Sequence, residues 1–354
     1  MDWKRFEKLT QLPGAPGVEG AVRSFMKKEM IKNSITMKQD GLGGLFGTVP
    51  GKEESPRVMV AGHMDEVAFM VTRISKEGFL HFTPLGGWWS QVLLAQRVDV
   101  YTATGESVPG VIGSIPPHLL PANKRKDPFP LEEMFIDIGA RNEEDVHAFG
   151  IRPGDSIIPR GSFEWMEGGH RLMSKACDNR FGCAMSLEVL DEVQNAKYEN
   201  TVIAGATVQE EVGLRGARTA TTMMRPDVFF AVDVGPAGDT PGVTDGYGEI
   251  GKGVVIRLMD SGLIMSPGMR QFLIDTAEAE GIPYQFFVSK GRTDAAAAHL
   301  QGKGVPSAAL GICGRYIHSH TCVYDKGDVE AARAFLMAII KRLDTDRLKA
   351  ILGR

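Results

Sequence analysis

The sequence predicts an α/β protein interrupted by a small β-rich insertion, and three observations carry that reading. In residues 1–74 and 166–354, short apolar runs alternate with segments of helical periodicity. Between residues 75 and 165 this texture gives way to brief β-like runs rich in Gly and Pro, with no long apolar-striped helix. The apolar runs of the first kind break off at acidic or imidazole side chains, where open α/β sheets gather their ligands.

Taken in order, residues 2–10 read as a short amphipathic helix stopped by Pro13-Gly14. Val18, Val22, Phe25, Met26 and Met30 recur at helical spacing in a second helix. Gly41, Gly43 and Gly44 mark a turn before Leu45-Phe46-Gly47. Residues 57–62 form a core strand that ends in His63-Met64-Asp65, and 67–74 alternate as a further strand. The insertion follows, with runs such as Val98-Asp99-Val100-Tyr101 and Val111-Ile112-Gly113. Residues 179–193 then form an apolar-striped helix with Asp178 at its start. Residues 201–208 read as a strand covered on both faces, stopping at Glu210-Glu211, where Gly213 and Gly216 bend the chain away. A helix over 217–224 and a strand over 228–232, ending at Asp233, come next. A strand over 254–258 precedes a helix opened by Ser266-Pro267, a favoured start. Strands over 284–288 and 308–312 flank a helix over 293–300. Asp328 is expected to cap the closing helix, whose Val329, Ala332, Leu336, Ile339, Ile340 and Leu343 form one stripe.

The chain has 354 residues, 43% hydrophobic and 24% charged, an ordinary globular composition with room for two units. A net charge of −4 leaves no basic footprint for nucleic acid or anionic lipid, and Lys124-Arg125-Lys126 reads as a solvated loop. No stretch reaches the roughly 18 apolar residues of a membrane span. Four cysteines without a paired pattern fit small core residues in a reducing compartment, so cytoplasmic residence is expected.

Five strand or helix ends therefore carry metal-competent groups: His63 with Asp65, Asp178, Glu210 with Glu211, Asp233 and His318. Each alone fits a solvated charge, a cap or a structural histidine. Together their types fit a pair of shared divalent ions, for which imidazole and carboxylate suit zinc, cobalt or manganese. No GxSxG elbow follows a strand, so nucleophilic serine chemistry is disfavoured.

The motifs PGAPGVEG, VAGHMDEVAFMV, GSIPPHL, SKACDNRFG, VQEEVGLRGA, AVDVGPAGD, TDAAAAHL and RYIHSH span nearly the whole chain. With them the sequence resembles the tetrahedral dinuclear-metal aminopeptidases, most closely the bacterial glutamyl aminopeptidases. The resemblance implies a mixed-sheet α/β/α zinc-peptidase catalytic domain, residues 1–74 and 166–354, with a barrel-like inserted domain over 75–165 serving assembly and access. It implies two divalent ions per subunit, His63 and Glu211 on one, His318 and Asp233 on the other, and Asp178 bridging. Asp65 would orient the His63 ring. Glu210 would be the general base in hydrolysis of the N-terminal peptide bond by a metal-bridging water. Two residues apart on an extended chain, His318 and His320 cannot be told apart by spacing; the resemblance gives the ligand as His318 and leaves His320 to the pocket.

It further implies a homododecamer built from dimers and a preference for acidic N-terminal residues. Arg257, Lys290, Arg292 and Arg315 are the candidate partners for the substrate carboxylate, since a buried carboxylate needs a cation and a guanidinium offers two parallel hydrogen bonds. GRTDAAA stands where relatives commonly show GGTDAGA, which puts Arg292 and Ala296 at usual glycine positions beside the pocket. A neutral-residue or broad aminopeptidase is the alternative within the family. The dinuclear-zinc carboxypeptidases and deacetylases share the ligand order, but their extra domain lies before the last histidine, whereas here the insertion separates Asp65 from Asp178. A binding protein on a retired hydrolase fold would have lost ligands or base, and none is missing.

Overall fold

A computed structural model describes residues 1–122 and 125–353. Helices α1 (Trp3–Gln11) and α2 (Gly20–Lys32) lead into β1 (Thr36–Gln39), β2 (Leu45–Val49) and β3 (Arg57–His63). Six strands follow: β4 (Ala68–Ile74), β5 (Leu80–Leu85), β6 (Arg97–Tyr101), β7 (Ser107–Gly113), β8 (Phe135–Asp137) and, after α3 (Glu143–Ala148), β9 (Ser156–Pro159). Then come β10 (Phe163–Trp165), β11 (Arg171–Ser174), α4 (Cys177–Val193), β12 (Thr201–Thr207), α5 (Arg215–Met224), β13 (Val228–Pro236) and β14 (Val254–Met259). The chain closes through α6 (Pro267–Ala279), β15 (Tyr284–Val288), α7 (Asp294–Ala298), β16 (Ser307–Gly314), β17 (Cys322–Asp325), α8 (Lys326–Arg342) and α9 (Thr345–Ile351).

Eight strands form one mixed sheet in the order β1-β2-β12-β3-β13-β16-β14-β15. Its centre is parallel, β12 and β13 flanking β3 and β16 flanking β13, with antiparallel joins at β2/β12 and β14/β16. Because successive side chains on a strand face opposite ways, Val58 and Val60 enter one core with α1, α2, α4, α6, α8 and α9, while Met59 and Ala61 enter a second with α5 and α7. The result is the expected α/β/α sandwich. Glycines let α4 lie against the sheet directly below the future site. A Cβ on Gly62 would sit 2.3 Å from the backbone of Gly182, and one on Gly182 would sit 2.4 Å from the Val232 carbonyl.

The insertion is a closed six-stranded barrel, β4-β5-β8-β7-β6-β9, filled by Phe69, Val71, Leu80, Val98, Ile112, Ile136 and Ile157. It begins earlier than residue 75: β4 pairs with β5 and β9 and joins the barrel instead of continuing the large sheet. Period-two alternation identifies a strand without saying which sheet receives it, and residues 64–67 redirect the chain. At the other end β10 leaves the barrel and joins β11 and β17 in a three-stranded sheet. Two further expectations change. Val18 precedes α2 and is 55% exposed. The cap of α8 is Asp325, which accepts from the Gly327 amide. Asp328 is instead buried and accepts the amides of Gly251 and Gly253, both at 2.6 Å. Asp325 and Asp328 are equally good capping types, and tertiary packing chose between them. Arg125 and Lys126 are exposed, as expected, and Lys124 lies outside the described residues.

Candidate metal centre and active-site cavity

The parallel strands deliver their carboxyl ends to one place. β3 ends at His63, β12 runs into the Gln209–Glu211 turn, β13 carries Asp233, and the loop after β16 carries His318. Asp178 arrives from the first turn of α4, where its backbone (φ −83°, ψ 106°) leaves the helical region. Asn179 secures that turn by donating to the Val232 carbonyl at 2.7 Å and accepting from the Gly182 amide at 2.8 Å.

Both imidazoles present Nε2 to the same space. The His63 Nδ1 lies 3.0 Å from the Asp65 carbonyl oxygen and the His318 Nδ1 2.9 Å from that of Gly87, so each ring is held through its second nitrogen. Gly87 belongs to the segment after β5, so the inserted unit helps orient His318. From His63 Nε2 the distances are 3.2 Å to Asp178, 3.9 Å to Glu210 and 3.9 Å to Asp233. From His318 Nε2 they are 3.5 Å to Asp178 and 3.5 Å to Glu211. Asp178 thus touches both histidines. By contacts within 4.0 Å His63 lies with Asp233 and His318 with Glu211, where the resemblance implied His63 with Glu211 and His318 with Asp233. His63, Asp178 and Glu211 also offer atoms within 4.8 Å of one another, so the groups share one space. β12 and β13 both flank β3, so strand order brings the Glu210–Glu211 turn and Asp233 alike to His63.

Asp65 lies beside the His63 ring and also holds the neighbouring turn. Its carboxylate lies 3.5 Å from the His63 ring but accepts the backbone amides of Glu210 and Glu211 at 3.1 and 3.0 Å. It fixes the turn that presents the two glutamates, while its carbonyl holds the ring.

Five carboxylates, those of Asp65, Asp178, Glu210, Glu211 and Asp233, here face two imidazoles. Burial lifts Glu210 well above the carboxylate range, pushes Glu211 up to about 8 and raises Asp233 to about 6, with neighbouring carboxylates adding to each. Burial pulls the two imidazoles down, but Glu210 and Asp178 outweigh it at His63, and Asp178 and Glu211 raise His318 to about 10. Asp178 is held below its usual range because the two histidines overcome its desolvation. Such a cluster calls for added positive charge. Glu211 Oε1 is buried without a hydrogen-bond partner and Asp178 Oδ1 meets the His63 ring at 3.2 Å, so the donor set fits hard or borderline divalent cations.

These groups line a cavity of about 410 Å³ that also takes in Gly87, Leu214, Ser289, Arg257, Arg292 and Ile317. Of the expected pocket residues, Arg257 and Arg292 reach it. Lys290 is exposed and outside the lining. Arg315 is turned away by Asp239, which it grips through two bonds of 2.8 and 2.7 Å. His320 faces a separate cavity at the seam of the barrel and the sandwich.

The chain from residue 43 to 335 matches the family of M42 glutamyl aminopeptidases. It is 44% identical over 349 residues to the glutamyl aminopeptidase of Lactococcus lactis subsp. cremoris, covering 98% of each chain. The chain belongs to the M42 family. It is accordingly a metallo-aminopeptidase. The lysyl aminopeptidase of Pyrococcus furiosus is 32% identical over 97% of this chain and 98% of its own. Among solved structures, the TET aminopeptidase of Thaumarchaeota archaeon SCGC AB-539-E09 superimposes with a TM-score of 0.95 at 39% identity, covering 99% of both chains. The TET1 peptidase of Pyrococcus horikoshii, which can assemble into a tetrahedron or a large octahedral shell, does so at 0.86 and 32% identity over 96% of this chain and 99% of that one.

Sequence reasoning missed the group that braces this M42 site from below. Arg180 is fully buried and donates to the carbonyls of Met64, Leu9 and Leu12 at 2.6 to 2.8 Å, and to Glu66 at 3.0 Å. Lys175 reaches the other Glu66 oxygen at 2.5 Å. An arginine inside an otherwise apolar helix stripe was the available signal. Removing one partner from such a buried network costs about 3–5 kcal/mol, and here the loss falls on the segment joining His63 to Asp65.

Proposed function

We propose that this M42 enzyme removes acidic N-terminal residues from peptides at a two-metal centre, with Glu210 as general base. The observation that carries the reading is the convergence of His63, Asp178, Glu211, Asp233 and His318 on one cavity beside a buried glutamate. His63 and Asp233 would hold one ion, His318 and Glu211 the other, and Asp178 both. When bound, zinc, cobalt or manganese would supply Lewis-acid polarisation of the scissile carbonyl and a lowered pKa for coordinated water. Glu210 sits 3.9 Å from His63 on the buried side of the site. It accepts the proton of the attacking water and returns it to the departing amine. Asp65 keeps Glu210 and Glu211 presented to the cavity through their amides.

The acidic preference rests on the two guanidiniums that reach the cavity. Arg257 is 6% exposed, lies over the Phe287 ring at 5.4 Å and is only loosely paired with Asp260, at 3.8 Å. It remains available to a substrate carboxylate. Arg292 donates to the Ser261 hydroxyl at 3.2 Å and stands at the exposed mouth. A hydrogen bond to a charged group contributes about 2 kcal/mol, or roughly 30-fold. Arg257→Ala is therefore expected to lower kcat/KM for glutamyl-p-nitroanilide about 30-fold while changing leucyl-p-nitroanilide little. If the wild-type enzyme prefers the leucyl or lysyl anilide, or the variant loses both substrates equally, the acidic assignment fails and the aminopeptidase stands.

We place the enzyme in the cytoplasm, supported by four buried free thiols, and no helix among the described residues is long and apolar enough to cross a membrane. We divide the chain into a catalytic unit and the barrel, and assign the barrel to assembly of a homododecamer built from dimers. The tetrahedron formed by the P. horikoshii relative supports this, as do the exposed Ile115 and Leu119 beside the barrel, 48% and 75% accessible. Light scattering that returned the mass of one chain would rule that assembly out.

A further inference from the structure

The motif PGAPGVEG has no part in the chemistry above, yet its glutamate is among the most buried charges of the chain. Glu19 is 2% exposed and lies on the loop before α2. Its Oε1 accepts the Gly17 amide at 2.7 Å and, from the far side of the site, the Gln209 amide at 3.2 Å. The next two amides, of Glu210 and Glu211, go to the two oxygens of Asp65. Three consecutive N–H groups are thus received by carboxylates from two other segments. The same loop is tied to the end of β3 by the Glu66 amide, which donates to the Gly14 carbonyl at 3.0 Å, so Glu19 and Asp65 share one frame.

The turn they hold is not one the chain adopts freely. Gln209 has φ +54°, in the left-handed region that disfavours a residue with a Cβ. Its carbonyl and side-chain oxygens both accept from Arg215, at 3.2 and 3.1 Å, which closes the turn from the other side. We infer that Glu19 is a positioning residue of the hydrolytic reaction, holding Gln209 in the left-handed turn that aims Glu210 into the cavity. The inference rests on Glu210 being the base. Glu19 is absent from the cavity lining and touches none of the metal-ligand candidates. Its influence therefore runs through the direction of one carboxylate, and proton transfer requires heavy atoms about 2.6–3.2 Å apart. Without the acceptor, the Gln209 amide is left unpaired in a half-buried place and the turn relaxes toward ordinary backbone, carrying Glu210 with it.

The test compares Glu19→Ala with Glu19→Gln, whose amide oxygen can still accept from both Gly17 and Gln209. Displacement of a catalytic group by about 1 Å costs up to roughly 10²-fold. Glu19→Ala is thus expected to lose 10- to 100-fold in kcat, with KM and bound metal as in the wild type, and Glu19→Gln to recover most of the rate. An alanine variant with wild-type kcat overturns the inference. So does a rate loss that tracks lost metal, or a glutamine variant no better than alanine. Should the alanine variant fail to fold, Glu19→Asp, one methylene short, takes its place: a reduced kcat at full metal content is expected, and an unchanged one overturns the inference. Glu210→Gln measured in parallel separates the two readings, because an active Glu210→Gln removes the base itself, whereas an inactive one beside a normal Glu19→Ala removes only the positioning role.

Discussion

Glu210→Gln is expected to bind metal as the wild type does and to lose about 10²- to 10⁴-fold in kcat, the usual cost of removing a general base. The amide keeps the volume and the backbone bond to Asp65, so the turn should survive the change. What disappears is the proton acceptor. Glu210 is suited to that task by its place, buried at the cavity wall with an oxygen 3.9 Å from the His63 ring. Its neighbour is placed differently: Glu211 lies 3.5 Å from His318 and carries an oxygen with no protein partner, as a ligand would. Metal analysis beside steady-state kinetics on the purified variant decides the matter. If Glu210→Gln loses metal, the roles of Glu210 and Glu211 are exchanged.

The strand ends were legible because an apolar run that stops at His63, Glu210 or Asp233 leaves a polar group where the sheet ends, and a parallel sheet puts all such ends on one side. Spacing and composition do not say which of these groups are neighbours. Strand order brings them together: β12 and β13 flank β3 and deliver the Glu210–Glu211 turn and Asp233 to His63. The pocket was less legible for a related reason. Arg315, Lys290 and His320 were near the right motifs in sequence, but nearness along a chain does not fix where a side chain points. Arg315 is claimed by Asp239, 76 residues away, and His320 lies past a loop in which Tyr316 and His318 both take left-handed backbone. The buried charges were hidden for the opposite reason. Residues of the types of Arg180, Glu66 and Glu19 rarely enter a core, and only the carbonyls, amides and ion pairs that hold them explain why these do.

The second large effect is that of the metal. The carboxylates of the site outnumber its imidazoles, and the site would hold two divalent ions. Loss of several kcal/mol of transition-state stabilisation corresponds to at least about 10³-fold in rate. Stripping the ions is therefore expected to abolish measurable hydrolysis while the sheet and its two cores remain folded. The most direct test is to titrate the chelator-stripped enzyme with zinc, cobalt or manganese, following glutamyl-p-nitroanilide hydrolysis against bound metal per chain. The account predicts activity that climbs until two ions are bound and then levels. Full activity in the stripped enzyme, or saturation at a single bound ion, would contradict it.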